Sequence, residues 1–417
     1  MTPIVLFVGL LFVYSLVSRK LESTVLTAPI LFTAAGMAMV GLEVKLGLSE
    51  GHLSWFLTLA EVGLVLLLFT DASRTDLQLL QSIRSLPTRL LSVGMLLTLL
   101  LGMLCARLVF PDLSLWECGI LAAILAPTDA GLGQIIVNSP RVPERIRQAL
   151  NVEAGLNDGL SVPFLMFFMT LAVVGGQSRQ ANLGQFMVEQ LGYGTGIGLV
   201  IGMVGGWFLQ RCHRSGWMAE TTEQLGVVAL PLFCLLWSEA AGASMFIAAF
   251  VGGLAVQIPF KEAGHRSVEF TEEWGQILNL SVFFLFGTIA AHTFHEITVP
   301  VVLYAVLSLT VVRMLPVGVS LIGTGLNRAT MLFMGWFGPR GLASIVLGLV
   351  YLEQEAREPH ELTIRLAVTV TVLISIFAHG FSALPGIRWY APRTGTLDPA
   401  AAARDKVAPS LNAPSTP

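Results

Sequence analysis

Charge is scarce in this chain. Asp, Glu, Lys and Arg make up only 12% of its 417 residues, against about 25% in a soluble domain. With 54% hydrophobic residues and a mean hydropathy of +0.75, that deficit excludes a soluble globular protein and leaves a polytopic membrane protein. No basic run or basic patch interleaved with aromatics occurs, and the net charge is -3, so nucleic acid is excluded as a partner. The four cysteines, Cys105, Cys118, Cys212 and Cys234, are scattered, without Cys-x-x-Cys or a histidine at metal spacing. They are expected to pack as small hydrophobes, with no disulfide framework and no zinc site. A His-Glu-x-x-His helix and a Gly-x-Gly-Asp signature are both missing, which argues against an intramembrane enzyme using Asp129 and Asp158 as a carboxylate pair. The start, MTPIVLFVGLLFVYSLVSRK, has no basic n-region and no evident small-x-small cleavage site, so it reads as the first membrane helix.

Long apolar runs are abundant. Taking runs of about 17 to 25 residues as spans, and charged or Gly/Pro-rich clusters as breaks, the chain divides into thirteen candidate spans. They lie near 3–18, 24–42, 54–72, 89–110, 115–137, 148–174, 186–210, 224–238, 243–258, 274–291, 298–323, 329–351 and 362–382. The pair at 224–258 is the least distinct, because its break at SEAAGA also fits a kink. With thirteen spans, the even-numbered loops hold only Lys45, Arg107, Arg179, Arg357 and Arg365. Apart from two arginines inside spans, every other Lys and Arg falls on the opposite face. The positive-inside rule then places the N-terminus outside and the C-terminus in the cytoplasm.

The polar residues left inside spans point to function. The run NVEAGLNDGLSVPFLMFFMTLA, residues 151–172, carries Glu153, Asn157 and Asp158. A carboxylate at membrane depth costs on the order of 2.5 to 3.5 kcal/mol, so a helix with two of them is expected to use them. Arg313 and Arg340 are the arginines inside spans, and an embedded guanidinium needs a carboxylate or several carbonyls. Glu153 is the expected partner of one of the two, and sequence leaves open which. Span five contains LAAILAPTDAGLGQIIV, where Pro127 interrupts the helix before Asp129, Gly131 and Gly133. Span twelve repeats the device in MGWFGPRGLASIVLG, with Pro339 and Arg340 between Gly338 and Gly341. Interrupted helices at membrane depth are tolerated where they line a cavity, and two at matching positions indicate inverted repeats. The repeats would be roughly 1–174 and 224–385, joined by a connector helix near 186–210, within one transmembrane unit over 1–385. Residues 386–417, rich in Pro, Ala and Ser, are expected to form a short disordered cytoplasmic tail.

APTDA at 126–130, EAGLNDG at 153–159 and FGPRGLAS at 337–344, in that order, resemble the sodium/proton exchangers of the cation:proton antiporter superfamily, of the NhaP and NHE type. The resemblance covers all thirteen spans. It implies an all-α, NhaA-like antiporter fold of about thirteen transmembrane helices, with inverted repeats, two crossed unwound helices and a separate dimerisation domain. It also implies a homodimer in membrane lipid; the short termini alone suggest a bacterial inner membrane. Carried over, Asp158 is the ion-binding carboxylate, while Asn157, Asp129 and Thr128 complete or orient the site for Na+, and Asp71 stands where many members carry a glutamate. No resident cofactor is implied; the cargo is Na+ or another monovalent cation, such as Li+ or K+, and H+.

A carboxylate for which cation and proton compete suffices to couple two fluxes, and the resemblance implies electroneutral exchange, since Asn157 rather than a second aspartate precedes Asp158. Three departures bear on selectivity: Ala154 replaces a frequent serine, the shorter Asp71 a frequent glutamate, and Ala130 a frequent proline. The loop IPFKEAGHRSVEFTEEW gathers four glutamates around His265 and reads as an ordinary solvated loop more readily than as a pH sensor. His292 and His295 lack an evident third ligand. Glu61 is a candidate for the access path, and Glu117 and Glu239 are expected at the membrane interface. A sodium-coupled symporter of an organic solute remains the alternative.

Overall fold

The computed structural model describes residues 2–21, 24–46, 53–74, 86–176, 192–260, 268–353 and 360–396, and every regular element among them is helical. The first helices are α1 (Thr2–Leu21), α2 (Ala28–Leu46), α3 (Leu53–Arg74) and α4 (Leu86–Val109). Next come an interrupted pair, α5a (Leu115–Ile124) and α5b (Ala130–Val137), then α6 (Glu144–Gly176) and α7 (Gly194–Arg214). α8 (Glu220–Ala240), α9 (Met245–Val256), α10 (Val268–His292) and α11 (Val299–Ser320) follow. A second interrupted pair, α12a (Arg328–Trp336) and α12b (Leu342–Glu353), precedes α13 (Glu361–Tyr390). Within the described residues each expected span thus falls on a helix or an interrupted pair, and six helices there are long and apolar enough, by length and composition, to cross a membrane.

The indistinct region at 224–258 forms two helices. Gly242 makes the turn between α8 and α9 with φ +62°, a conformation costly to a residue with a Cβ, and Ser244 caps α9 by accepting from the Ile247 N–H at 3.4 Å. The expected His265 loop, the first part of the 186–210 span and the tail from 397 onward lie outside the described residues.

Two groups of helices pack more within themselves than across. α2, α3, α7, α8, α9 and α10 form one bundle, and α4, α5, α6, α11, α12 and α13 the other. The first depends on glycine: Gly198, Gly202 and Gly206 recur every fourth residue on α7 and face α9, so closely that a Cβ at Gly202 would overlap the Gly252 carbonyl. Gly36 of α2 and Gly287 of α10 meet in the same way. Where lipid is as apolar as the side chains, such close backbone approach replaces hydrophobic exclusion as the source of association. The outer faces suit hydrocarbon: Leu96, Leu100, Leu104 and Leu108, one face of α4, are all exposed. Cys105, Cys118 and Cys234 are buried and unbridged, as small hydrophobes would be.

α11 bends at Thr310 (φ -106°, ψ -85°) and holds Pro316 in its second half. Proline removes one helical N–H donor and crowds the carbonyl four residues earlier. Arg313, between bend and proline, points into the second bundle and is 5% exposed. The two bundles meet where α3, α9 and α10 touch α6 and α12b.

Candidate functional site

Both interrupted pairs unwind at proline. After α5a the chain is extended through Pro127 and Thr128 to Asp129 (φ -91°, ψ 119°), and after α12a it is non-helical from Phe337 to Gly341. The two extended segments cross and are joined by the Asp129 N–H donating to the Pro339 carbonyl at 2.8 Å. Four helix ends therefore converge in the interior, each with orphan backbone groups and a partial charge.

Side chains from the opposite pair neutralise them. One oxygen of Asp129 accepts from the Leu132 N–H of its own α5b at 3.0 Å, and the other from the Leu342 N–H of α12b at 2.6 Å. A single carboxylate thus caps two positive helix ends. Gly341 is required beside it, since a Cβ there would overlap Asp129 Oδ2. Arg340, fully buried, does the converse: its Nη1 donates to the Ala126 and Pro127 carbonyls at 2.6 and 2.9 Å, closing the negative end of α5a. The Arg340 N–H donates to Ser375 Oγ at 2.6 Å on α13. His379, one turn on, reaches the Trp336 carbonyl at 2.9 Å through Nε2 and so caps α12a, while its Nδ1 lies 3.2 Å from Ser375 Oγ.

Sequence left the partner of Glu153 open between two arginines; geometry selects Arg313. Its Nη1 and Nη2 donate to the two Glu153 oxygens at 2.5 and 3.0 Å, with both residues buried. The guanidinium lies so close to Gly338 that a Cβ there would collide with it. This pair ties α6 and α11 to the unwound part of α12. Arg340 bonds carbonyls through Nη1 in place of a carboxylate, while its Nε and Nη2 are buried without a hydrogen-bond partner among the described residues.

The remaining expected residues gather at the same crossing. Asn157 Nδ2 donates to Thr128 Oγ1 at 2.7 Å, fixing α6 to the unwound stretch of α5. Asp158 is 6% exposed. Its Oδ1 and the Oδ1 of Asn157 are buried with no hydrogen-bond partner among the described residues. Asp129 and Asp71 both act on Asp158 electrostatically; Asp71, half-buried at the end of α3, packs against Gly155 of α6. A small cavity reaches the crossing, lined by Thr128, Asp129, Glu153, Ala154 and Pro339 and continuing to Val137 and Leu150. Its space for water-sized occupants is about 10 Å³, on the order of one water molecule.

Other expectations fare differently. Glu117, expected at the interface, is buried at the start of α5a, where it forms a capping box with Ser114 and lies 2.9 Å from His360 Nδ1. Its carboxylate accepts from the Ser114 N–H at 2.6 Å while Ser114 Oγ accepts from the Glu117 N–H at 3.2 Å, which satisfies two donors at the helix start reciprocally. Glu239 is exposed at the end of α8, and Glu61 is half-buried on α3. Three polar residues at or beside the crossing were not singled out from sequence: Ser375, His379 and Asn279. Their signal was available, since each is a polar side chain within an otherwise apolar run.

The family model described as sodium/hydrogen exchanger, transmembrane, matches residues 5–389. The chain belongs to this family of sodium/hydrogen exchangers. It is 27% identical over 312 residues to a Na(+)/H(+) antiporter of Schizosaccharomyces pombe, covering 66% of this chain and 65% of that protein. To the K(+)/H(+) antiporter NhaP of Alkalimonas amylolytica it is 24% identical over 395 residues, 92% of this chain and 66% of the relative. The chain spans between about a third and two thirds of the length of the first three curated relatives it matches. Among solved structures, the sodium proton antiporter MjNhaP1 from Methanocaldococcus jannaschii superposes with a TM-score of 0.70 at 19% identity, over 91% of this chain and 99% of that one. This exchanger-family chain therefore has the fold of that antiporter, an all-helical, multi-pass membrane architecture with two crossed, broken helices.

Proposed function

We propose that the protein is a secondary antiporter that exchanges a monovalent cation, Na+ in the first instance, for H+, with both competing for Asp158. One observation carries this reading: the charges buried at the crossing do not cancel. Counted as ionised, the three buried acids Glu153, Asp129 and Asp158 exceed the two buried bases Arg313 and Arg340, all nearly inaccessible, by one negative charge, with half-buried Asp71 at the edge of the set. Glu153 is paired and Asp129 caps two helices, so the excess resides on Asp158, the acid with an unpartnered oxygen. One proton or one monovalent cation neutralises it. A loaded, neutral site crosses hydrocarbon at lower cost than an empty, charged one, so translocation occurs with either cargo bound and the two fluxes are coupled.

The same count supports electroneutral one-for-one exchange, with Asn157 serving as a neutral neighbour where a second acid would add a second charge. An exchange rate that varies steeply with an imposed membrane potential would overturn this stoichiometry. Asp129 and Arg340 act as positioning residues, and Thr128 and Asn157 as neutral oxygen donors. Membership of the exchanger family favours antiport over the symport alternative. The distribution of Lys and Arg supports an external N-terminus and cytoplasmic C-terminus, and the relation of α5 to α12 supports inverted repeats. A homodimer is proposed from the family resemblance.

The direct test is collapse of a pH gradient in inside-out vesicles on adding Na+, Li+ or K+ in turn. Cation-specific dissipation supports antiport. Absence of any response between about pH 6 and 9, with the protein confirmed in the membrane, sinks it.

Selectivity is expected to depend on Ala154, which is 7% exposed and lines the small cavity. Ala154→Ser supplies one oxygen to a compact site. A single such contact is worth about 1 kcal/mol, so the KM for Na+ should fall about fivefold, measured by vesicle titration beside K+. An unchanged ratio of the Na+ and K+ constants would remove Ala154 from the selectivity determinants.

A further inference from the structure

The crossing has an unassigned polar neighbour on the other bundle. Asn279 lies mid-way along α10 in the run ILNLSVFFLFG, between Leu278 and Leu280. The lack of a side chain at Gly131 opens a window between its amide and the crossing: a Cβ there would lie 3.0 Å from Asp129 Oδ1 and 3.4 Å from Asn279 Nδ2. The amide end of Asn279 thus lies beside the crossing, and a half-turn about its terminal bond exchanges nitrogen for oxygen there. That acceptor, Oδ1, is buried without a hydrogen-bond partner among the described residues, as are Asn157 Oδ1 and Asp158 Oδ1. An unpaired amide carbonyl in an apolar helix is costly to keep, and a dehydrated monovalent cation requires oxygens of this kind. Leu278, adjacent in sequence, faces Gly63 of α3, so α10 is wedged at this level between α3 and α5b.

We infer that Asn279 is a ligand of the transported cation, supplied by α10 to the oxygens of Asp158 and Asn157 across the bundle boundary. This rests on the antiport reading and adds to it an asymmetry between the two cargoes. A proton needs one oxygen of Asp158 and no shell; a cation needs several oxygens. Asn279 therefore raises affinity for the cation and leaves that for the proton unaltered. It also makes the cation site complete only while α10 of one bundle abuts α5b and α6 of the other.

The test compares the wild-type chain with Asn279→Leu, close in size and without the oxygen, in reconstituted vesicles with Na+ as the probe. Loss of one neutral ligand is expected to raise the KM for Na+ about tenfold, ~1.4 kcal/mol, with the maximal rate within about twofold. Because proton and Na+ compete, the acid limb of activity at fixed Na+ should move to higher pH. Raising Na+ in proportion should restore it, which a merely structural role for Asn279 would not produce. A lowered maximal rate with unchanged KM and pH profile overturns the inference, as does wild-type behaviour. If Asn279→Leu does not reach the membrane, Asn279→Ser, which retains an oxygen at shorter reach, is read in the same way: raised KM supports and unchanged KM overturns. A wild-type protein with no cation-driven proton movement would instead overturn the antiport reading beneath it.

Discussion

Asp158→Asn is expected to reduce Na+-driven proton movement at least about 100-fold, or ~2.7 kcal/mol, to the level of vesicles without the protein. Asparagine keeps the size and one oxygen but can neither release a proton nor supply the negative charge that a dehydrated cation must meet. Since Glu153 and Asp129 already have partners, no other buried acid at the crossing is positioned to take over. The variant should fold, because removing an uncompensated buried charge relieves a cost; its melting temperature in detergent should equal or exceed the wild type. Substantial exchange by Asp158→Asn in the presence of normal protein levels would contradict the assignment of the coupling group.

The second large effect is on stability. Glu153 and Arg313 are 3% and 5% exposed and joined by two hydrogen bonds. Breaking a buried pair from one side leaves an unpaired ion and costs about 3 to 5 kcal/mol. Arg313→Met should therefore lower the melting temperature sharply and diminish the amount of protein in the membrane. Replacing both members, Glu153→Met with Arg313→Met, should be far less damaging than the sum of the single changes, because neither charge is then stranded. Melting of the purified variants in a double-mutant cycle checks this. Additive losses would show that the pair is not a coupled unit and that Glu153 is held by something other than Arg313. Arg340, bonded to carbonyls and to no carboxylate, has no single compensating change of this type.

The two experiments separate roles that sequence merges. Four buried ionisable groups, Glu153, Asp129, Arg313 and Arg340, act on one another or on helix ends, and they hold the crossing. On the proposed function, Asp158 is the buried acid left for the cargo. Competition at a group placed in this way needs no additional gate, provided that the surrounding charges stay fixed while Asp158 alone alternates between its two neutral loaded forms.

Much was determined by the sequence alone. Scarcity of charge and the length of the apolar runs decide that the chain is a multi-pass membrane protein, because the thickness of hydrocarbon sets how many consecutive apolar residues a helix needs. The prolines at 127 and 339 mark where two helices unwind, because proline removes a backbone donor in any context. An acid or guanidinium inside a span stands out because its cost of burial is local, and for that reason Glu153, Asp158, Arg313 and Arg340 were legible one at a time. Tertiary structure alone decided how these groups are partnered. Arg313 rather than Arg340 meets Glu153 because a bend at Thr310 aims it inward, 160 positions along the chain. Asp129 caps a helix more than 200 residues away, and Asn279 reaches the crossing through a gap where Gly131 has no side chain. Such pairings depend on how helices distant in sequence are packed, and a one-dimensional pattern of polarity holds no record of that distance.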